Sequence, residues 1–266
     1  MREGKPSVTA RFVARTRATL DRPEVPTGDA PAERRLYESL GRTPLGRGSG
    51  RWHERMARRT AFFDCVTLAA LDRGVRQIVI VGAGYDGRPL RFAAPGVTWF
   101  EVDHPATQTD KRARLAAVGA STDEIVFVPL DLTTGDLVQS LEAAGFDRTE
   151  ASLFLVEGLL GYLLRDTTER LLSGLRGLAT LESRLAVAFP IASQDGKAVP
   201  RLRHRVRGML VSVLGEPWLT RFSLEEVEDL FTRTGWHVSV ELDTPQRYQG
   251  HRGVLIVGEP TPEPAR

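Results

Sequence analysis

Residues 75–103 read VRQIVIVGAGYDGRPLRFAAPGVTWFEVD, and this stretch decides the fold. An apolar, β-branched run (Val75, Ile78, Val79, Ile80, Val81) ends in Gly82-Ala83-Gly84, and a second run over 97–102 ends at Asp103. Runs of this kind suit strands buried on both faces. A glycine turn after one strand and a carboxylate at the end of the next make a nucleoside-shaped crevice in α/β proteins. Glycine lets backbone approach a ligand closely, and a carboxylate can accept both ribose hydroxyl hydrogen bonds.

Outward from this stretch the same rhythm repeats. Apolar runs at 75–81, 97–102, 125–130, 151–156 and 184–189 alternate with helical patterns near 86–93, 105–118, 133–144 and 166–182. That alternation predicts an α/β fold with a parallel sheet covered on both faces. Upstream, residues 1–73 form a helical cap, with helices expected over 8–20, 32–40 and 51–73 and a loop at Thr43–Gly50. The core spans 74–190. Residues 191–222 break the rhythm and are expected to form an inserted helical lid carrying the basic stretch Arg201, Arg203, His204, Arg205 and Arg207. In 223–266, Ser223 and Glu226 form a capping box ahead of a helix over 224–234. Strands at 236–242 and 253–258 have nothing helical between them, so they are expected to pair as an antiparallel hairpin at one sheet edge.

Composition narrows the function. The 266 residues carry a net charge of +2, too balanced for a nucleic-acid or membrane-surface partner. The single Cys65 excludes an intrachain disulfide and fits a reducing cytoplasm. No segment approaches the roughly 18 apolar residues of a spanning helix. The expectation is a cytoplasmic protein.

Gly82-Ala83-Gly84-Tyr85-Asp86-Gly87 satisfies the dinucleotide pattern G-x-G-x-x-G, and Asp103 follows Gly82 by 21 residues, so an NAD-dependent oxidoreductase competes. A pyrophosphate wants a long helix aimed at it. Here Arg88-Pro89 follows Gly87 at once and the segment ends by Pro95, leaving one or two turns. S-adenosylmethionine (SAM) has no phosphate and wants carboxylates for its ribose and ammonium. The strand ends supply them in order: Glu101 and Asp103, then Asp131-Leu132, then Glu157-Gly158.

The chain then resembles the SAM-dependent leucine carboxyl methyltransferase family and its bacterial small-molecule branch. The matching blocks are 57–64 (ARRTAFFD), 81–88 (VGAGYDGR), 100–105 (FEVDHP) with Lys111-Arg112, 129–132 (PLDL) and 157–163 (EGLLGYL), in order over residues 57–165. The basic Arg15-Thr16-Arg17 fits the first helix more loosely, and the last 100 residues match only in architecture. The resemblance implies a Rossmann-like seven-stranded methyltransferase sheet. It also implies that Arg59, with Arg17 as a second cation, pairs with the methionyl carboxylate of SAM. Gly82, Ala83 and Gly84 would meet the methionyl backbone and Asp103 the ribose. Asp131 and Leu132 would bracket adenine, Glu157 would receive the ammonium, and Tyr162 would face the transfer site.

Methyl transfer from SAM, leaving S-adenosylhomocysteine, is an in-line displacement that needs alignment rather than a metal. A carboxylate acceptor is ionised at neutral pH and needs no general base. Many arginines and few histidines favour a carboxylate of a small-molecule, secondary-metabolite acceptor, with lid residues such as Arg201 and Arg205 binding it. His53, His204, His237 and His251 are read as structural, and His104 as shaping the cofactor loop. A hydroxyl acceptor, a protein C-terminal leucine carboxylate and a non-catalytic SAM-binding role stay open.

Overall fold

A computed structural model describes residues 6–41, 50–192, 218–239 and 253–262. Three helices open the chain: α1 (Val8–Arg17), α2 (Ala30–Ser39) and α3 (Gly50–Asp72). The core alternates β1 (Gln77–Val81), α4 (Arg88–Arg91), β2 (Thr98–Asp103), α5 (Pro105–Ala117), β3 (Ile125–Pro129), α6 (Leu137–Ala143) and β4 (Ser152–Val156). A 3-10 turn at Leu160–Tyr162 precedes α7 (Arg165–Leu178) and β5 (Arg184–Phe189). The chain closes with α8 (Leu224–Arg233), β6 (Trp236–Val238) and β7 (Val254–Pro260).

Seven strands form one sheet in the order β3-β2-β1-β4-β5-β7-β6. The first five run parallel, while β7 pairs antiparallel with both β5 and β6. Alternation along each strand builds two cores. Val79, Val81, Phe100, Val102, Phe154 and Val156 face α6, α7 and α8. Ile78, Ile80, Trp99, Leu153 and Leu155 face Phe62, Phe63, Val66 and Ala70 of α3. A third cluster packs α1 and α2 through Ala14, Leu36 and Tyr37 onto Tyr85, Leu90 and Leu115.

The expected strands and helices are found within a few residues of their predicted places, and the capping box closes with Glu226 N–H on Ser223 Oγ at 3.0 Å. α7 stops at Leu178 rather than 182, because the Ser183 hydroxyl accepts from Thr180 N–H at 3.0 Å and turns the chain into β5. Of the predicted lid, residues 193–217 lie outside the described residues, and with them Arg201, Arg203, His204, Arg205 and Arg207; so does His251. Among the described residues no helix is long and apolar enough to cross a membrane.

The order β2-β1-β4 places the topological switch point between β1 and β4. There the connections leaving the sheet diverge, and the strand ends open a crevice.

Candidate functional site

The turn after β1 is held by its neighbour: Gly82 and Ala83 N–H both donate to Val102 O, at 2.8 and 3.2 Å. Gly84, at φ +53°, then aims its N–H at the Asp103 carboxylate, which also accepts from His104 N–H at 2.6 Å. Burial pushes the Asp103 carboxyl up, while those two N–H bonds oppose the shift. Helix α1 lies directly over the turn, so that a Cβ on Gly84 would meet Ala10 Cβ at 2.8 Å. Asp131, after β3, accepts from the Thr133 hydroxyl at 2.7 Å and N–H at 2.9 Å, which holds its carboxyl low, with half-buried Leu132 beside it. His104 caps α5 through Nδ1, as a loop-shaping role requires.

Glu157, after β4, lies in a buried chain of alternating charge. Its Oε2 accepts from Arg88 Nη1 at 2.8 Å and pairs with the Arg17 guanidinium, Nη2 at 2.7 Å. Arg17 and Arg88 also share Asp86, at 3.2 and 2.6 Å. Arg88 Nε reaches Asp64 at 2.7 Å, and Asp64 takes Arg22 in a forked pair at 2.7 and 3.0 Å. Arg22 then meets Glu33 at 2.6 Å, and Glu33 also binds Arg91. The chain therefore runs Arg91, Glu33, Arg22, Asp64, Arg88, Asp86, Arg17, Glu157 and ends at Arg59. Among the described residues, five guanidinia of this chain face four carboxylates, one positive charge in excess; Arg91 also lies 3.5 Å from Glu24, which is exposed.

Around Glu157, three polar atoms lack aligned partners among the described residues: Glu157 Oε1, Arg59 Nε and Arg17 Nε. Arg59 Nε lies 2.8 Å from Glu157 Oε1, but off the hydrogen-bonding direction. Burial lowers the affinity of the Arg59 guanidinium for its proton, against the pull of Glu157. Its side chain keeps 21% exposure where those of Arg17 and Arg88 keep 5% and 0%, so it is the network's open end. Burial alone would raise the Glu157 carboxyl; Arg17, Arg88 and Arg59 outweigh that and hold it down to about 2.

A pH dependence follows. A carboxyl depressed in the folded state adds stability above its ordinary value of 4.5, lost as pH falls toward 2. Denaturant unfolding is expected to show stability dropping by a few kcal/mol between about pH 4.5 and 2. Glu157→Gln is expected to be less stable at pH 7 but shallower over this acid range; an unchanged slope would remove Glu157 from the acid response.

Tyr162 closes the 3-10 turn that follows β4 and Glu157, and its hydroxyl accepts from Trp218 Nε1 at 3.1 Å. Glu101 departs from expectation. Although it shares a face of β2 with Asp103, both its oxygens bind Lys111 Nζ, at 2.6 and 2.7 Å, and it is 1% exposed. It serves as an internal counter-ion rather than one of the ligand-facing acids, and Lys111 also donates to Asp86 O at 2.7 Å. Sequence reading gave no role to Arg22, Glu33, Asp64, Asp86, Arg88 or Arg91.

The G-x-G-x-x-G pattern leads nowhere toward a pyrophosphate. α4 is four residues long, Gly87 N–H donates to Tyr37 Oη at 3.1 Å, and Arg88 N–H to Asp86 Oδ1 at 3.0 Å. The N–H groups that would receive phosphate are taken, one of them by a carboxylate. Among the described residues no group of three His, Cys, Asp or Glu side chains could hold a metal ion.

Sheet order, antiparallel seventh strand and glycine turn define the Rossmann-like fold of SAM-dependent methyltransferases. A candidate methyltransferase from Thermobifida fusca YX superposes with a TM-score of 0.59 at 16% identity, covering 98% of this chain and 97% of that one. An O-methyltransferase family protein from Burkholderia thailandensis gives a TM-score of 0.51 at 16% identity, over 80% and 62% of the two chains. The leucine carboxyl methyltransferase family matches residues 8–176. A candidate SAM-dependent methyltransferase of Mycobacterium avium (strain 104) is 36% identical over 275 residues, 86% of this chain and 87% of that protein. One from Mycobacterium sp. (strain JLS) is 45% identical over 147 residues, 54% of this chain and about half (47%) of the relative. The chain belongs to the leucine carboxyl methyltransferase family.

Proposed function

We propose that the protein is a SAM-dependent O-methyltransferase that forms a methyl ester on a carboxylate of a small-molecule, secondary-metabolite acceptor. One observation carries the cofactor reading: among the described residues, a buried carboxylate oxygen after β4 (Glu157 Oε1) and two buried guanidinium nitrogens (Arg59 Nε, Arg17 Nε) lack a hydrogen-bond partner, Oε1 having only its off-axis ion pair with Arg59. Unpaired buried polar atoms are costly. A zwitterionic amino-acid head, ammonium to Glu157 and carboxylate to Arg59 and Arg17, answers all three. Asp103 would hold the ribose hydroxyls, Gly82, Ala83 and Gly84 would border the methionyl chain, and Asp131 and Leu132 the adenine. Bound SAM supplies an activated methyl group on a sulfonium centre; the residues around it would orient the acceptor and exclude water, with Tyr162 facing the transfer site.

For the acceptor, His104 is the histidine at these strand ends among the described residues, and it is committed as a helix cap. A carboxylate acceptor asks for no base, which agrees with that arrangement. The test is transfer of isotope-labelled methyl from SAM into small-molecule extract, with products then treated with mild base. The expected label is released as methanol, and Asp103→Ala binds SAM on the order of 100-fold more weakly because two hydrogen bonds to a charged acceptor are lost. Base-stable label would replace the ester with an ether, amine or carbon product. SAM that binds without any transfer would favour a non-catalytic protein.

A further inference from the structure

The two oxygens of Glu157 are held unequally, and Arg88 is one of the two cations on Oε2. Both Arg17 Nη2 and Arg88 Nη1 lie on Oε2, so Oε1 is left with Arg59 Nε alone, 2.8 Å away and off the hydrogen-bonding direction. Arg88 is itself immobilised on every side. Nε is on Asp64 at 2.7 Å, Nη1 is shared between Asp86 at 2.6 Å and Glu157 at 2.8 Å, and Nη2 lies 3.4 Å from Thr60 O. The guanidinium also lies over the Phe63 ring, 5.6 Å from its centroid, and the side chain is 0% exposed. A fully enclosed arginine cannot touch a ligand in the crevice. Its reach is through Glu157.

We propose that Arg88 is a positioning residue that orients the Glu157 carboxylate, so that Oε1 stays available to the cofactor's ammonium. Without it Oε2 is held by Arg17 alone, and the carboxylate is free to turn Oε1 into line with Arg59 Nε, which already lies 2.8 Å away. The ammonium then meets a carboxylate already satisfied. Asp64 matters at one remove, since its bonds to Arg22 and Arg88 fix the plane of the Arg88 guanidinium. This inference rests on placing the amino-acid head of SAM at Glu157.

The experiment compares two probes by calorimetry: S-adenosylhomocysteine, which carries the amino-acid head, and 5′-methylthioadenosine, which keeps the nucleoside and lacks the head. The wild-type protein is expected to favour S-adenosylhomocysteine strongly. Arg88→Gln is expected to weaken S-adenosylhomocysteine by about 10- to 100-fold, the loss of one hydrogen bond to a charged group, and to leave methylthioadenosine within about threefold. Removing a buried cation can cost the fold, so Asp64→Asn serves as the second variant, with a smaller loss in the same direction confined to the headed ligand. Equal weakening of both probes, or of neither, overturns the positioning role and leaves the cofactor site standing. A wild-type protein that binds both probes equally overturns the placement of the head itself.

Discussion

Glu33→Ala is expected to lower the unfolding free energy by about 3–5 kcal/mol and the melting temperature by on the order of 10 °C. Glu33 sits in the first turn of α2, is 1% exposed, and accepts from Arg22 at 2.6 Å, from Tyr37 Oη at 2.9 Å and from Arg91. Its stem lies where a Gly87 side chain would begin: a Cβ there would come within 2.3 Å of Glu33 Cγ. Truncation strands two guanidinia that have left water and opens a gap against the β1–α4 turn. Burial makes the effect large, because an ion that loses its partner inside the protein keeps its desolvation cost. The surface pair Arg233–Glu169 gives the contrast. It is also a close pair, at 2.9 Å, but its side chains are 50% and 39% exposed, and Glu169→Ala is expected to cost at most about 1 kcal/mol. Glu33→Gln, which keeps the shape and the Tyr37 contact, should fall between. Urea unfolding of the three variants decides the matter; a Glu33→Ala loss no larger than that of Glu169→Ala would mean that the buried network does not hold the N-terminal cap. Cofactor affinity should fall in parallel, since the cap carries Arg17.

The contrast between strand and network explains what was legible in the sequence. A strand buried on both faces must be apolar throughout, so Ile78–Val81 and Leu153–Val156 declare themselves, and the glycines and acids at their ends stand out by interruption. Asp103 and Glu157 were readable for that reason. The network was not, because its members lie far apart in the chain and each looks locally like a surface charge. Glu33 in the first turn of a helix reads as a charge answering the helix dipole. Arg88 and Arg91, on a short helical segment after glycines, look like surface cations. One signal was present: Thr60, Asp64 and Thr67 recur at helical spacing and are buried alongside Phe63, Val66 and Ala70, so an acid shares the inward side of α3. An acid in that position needs a cation from another element, and the sequence does not say that Arg22 and Arg88 supply it. Glu101 misled for the complementary reason. Its parity matches Asp103, but parity fixes a face of the sheet and not which buried partner waits there.

The same closeness of cap and core makes Gly84→Ala the substitution with the largest expected effect on cofactor binding. Gly84 has φ +53°, a left-handed conformation that costs an alanine about 1–2 kcal/mol. Its new Cβ would also lie 2.8 Å from Ala10 Cβ, closer than two carbons can approach, so α1 must lift or the turn must rotate. Either response damages the site. Lifting α1 draws Arg17 from Glu157; rotating the turn takes the Gly84 N–H from Asp103. The expected result is SAM binding weakened at least about 100-fold, with unfolding free energy lower by roughly 2–4 kcal/mol. Gly96→Ala separates the two causes, because Gly96 has φ +74° and nothing within 4 Å of an added Cβ: it should lose stability alone and bind SAM normally. Ala10→Gly in the Gly84→Ala background removes the opposing methyl. If the helix contact is the cause, this double variant recovers much of the lost affinity even though glycine within α1 costs about 1 kcal/mol of stability. If affinity stays low, the damage lies in the turn and its bond to Asp103, and α1 acts only as a roof. Recovery would make the first helix a working wall of the cofactor site, set in place by one methyl group against one bare α-carbon.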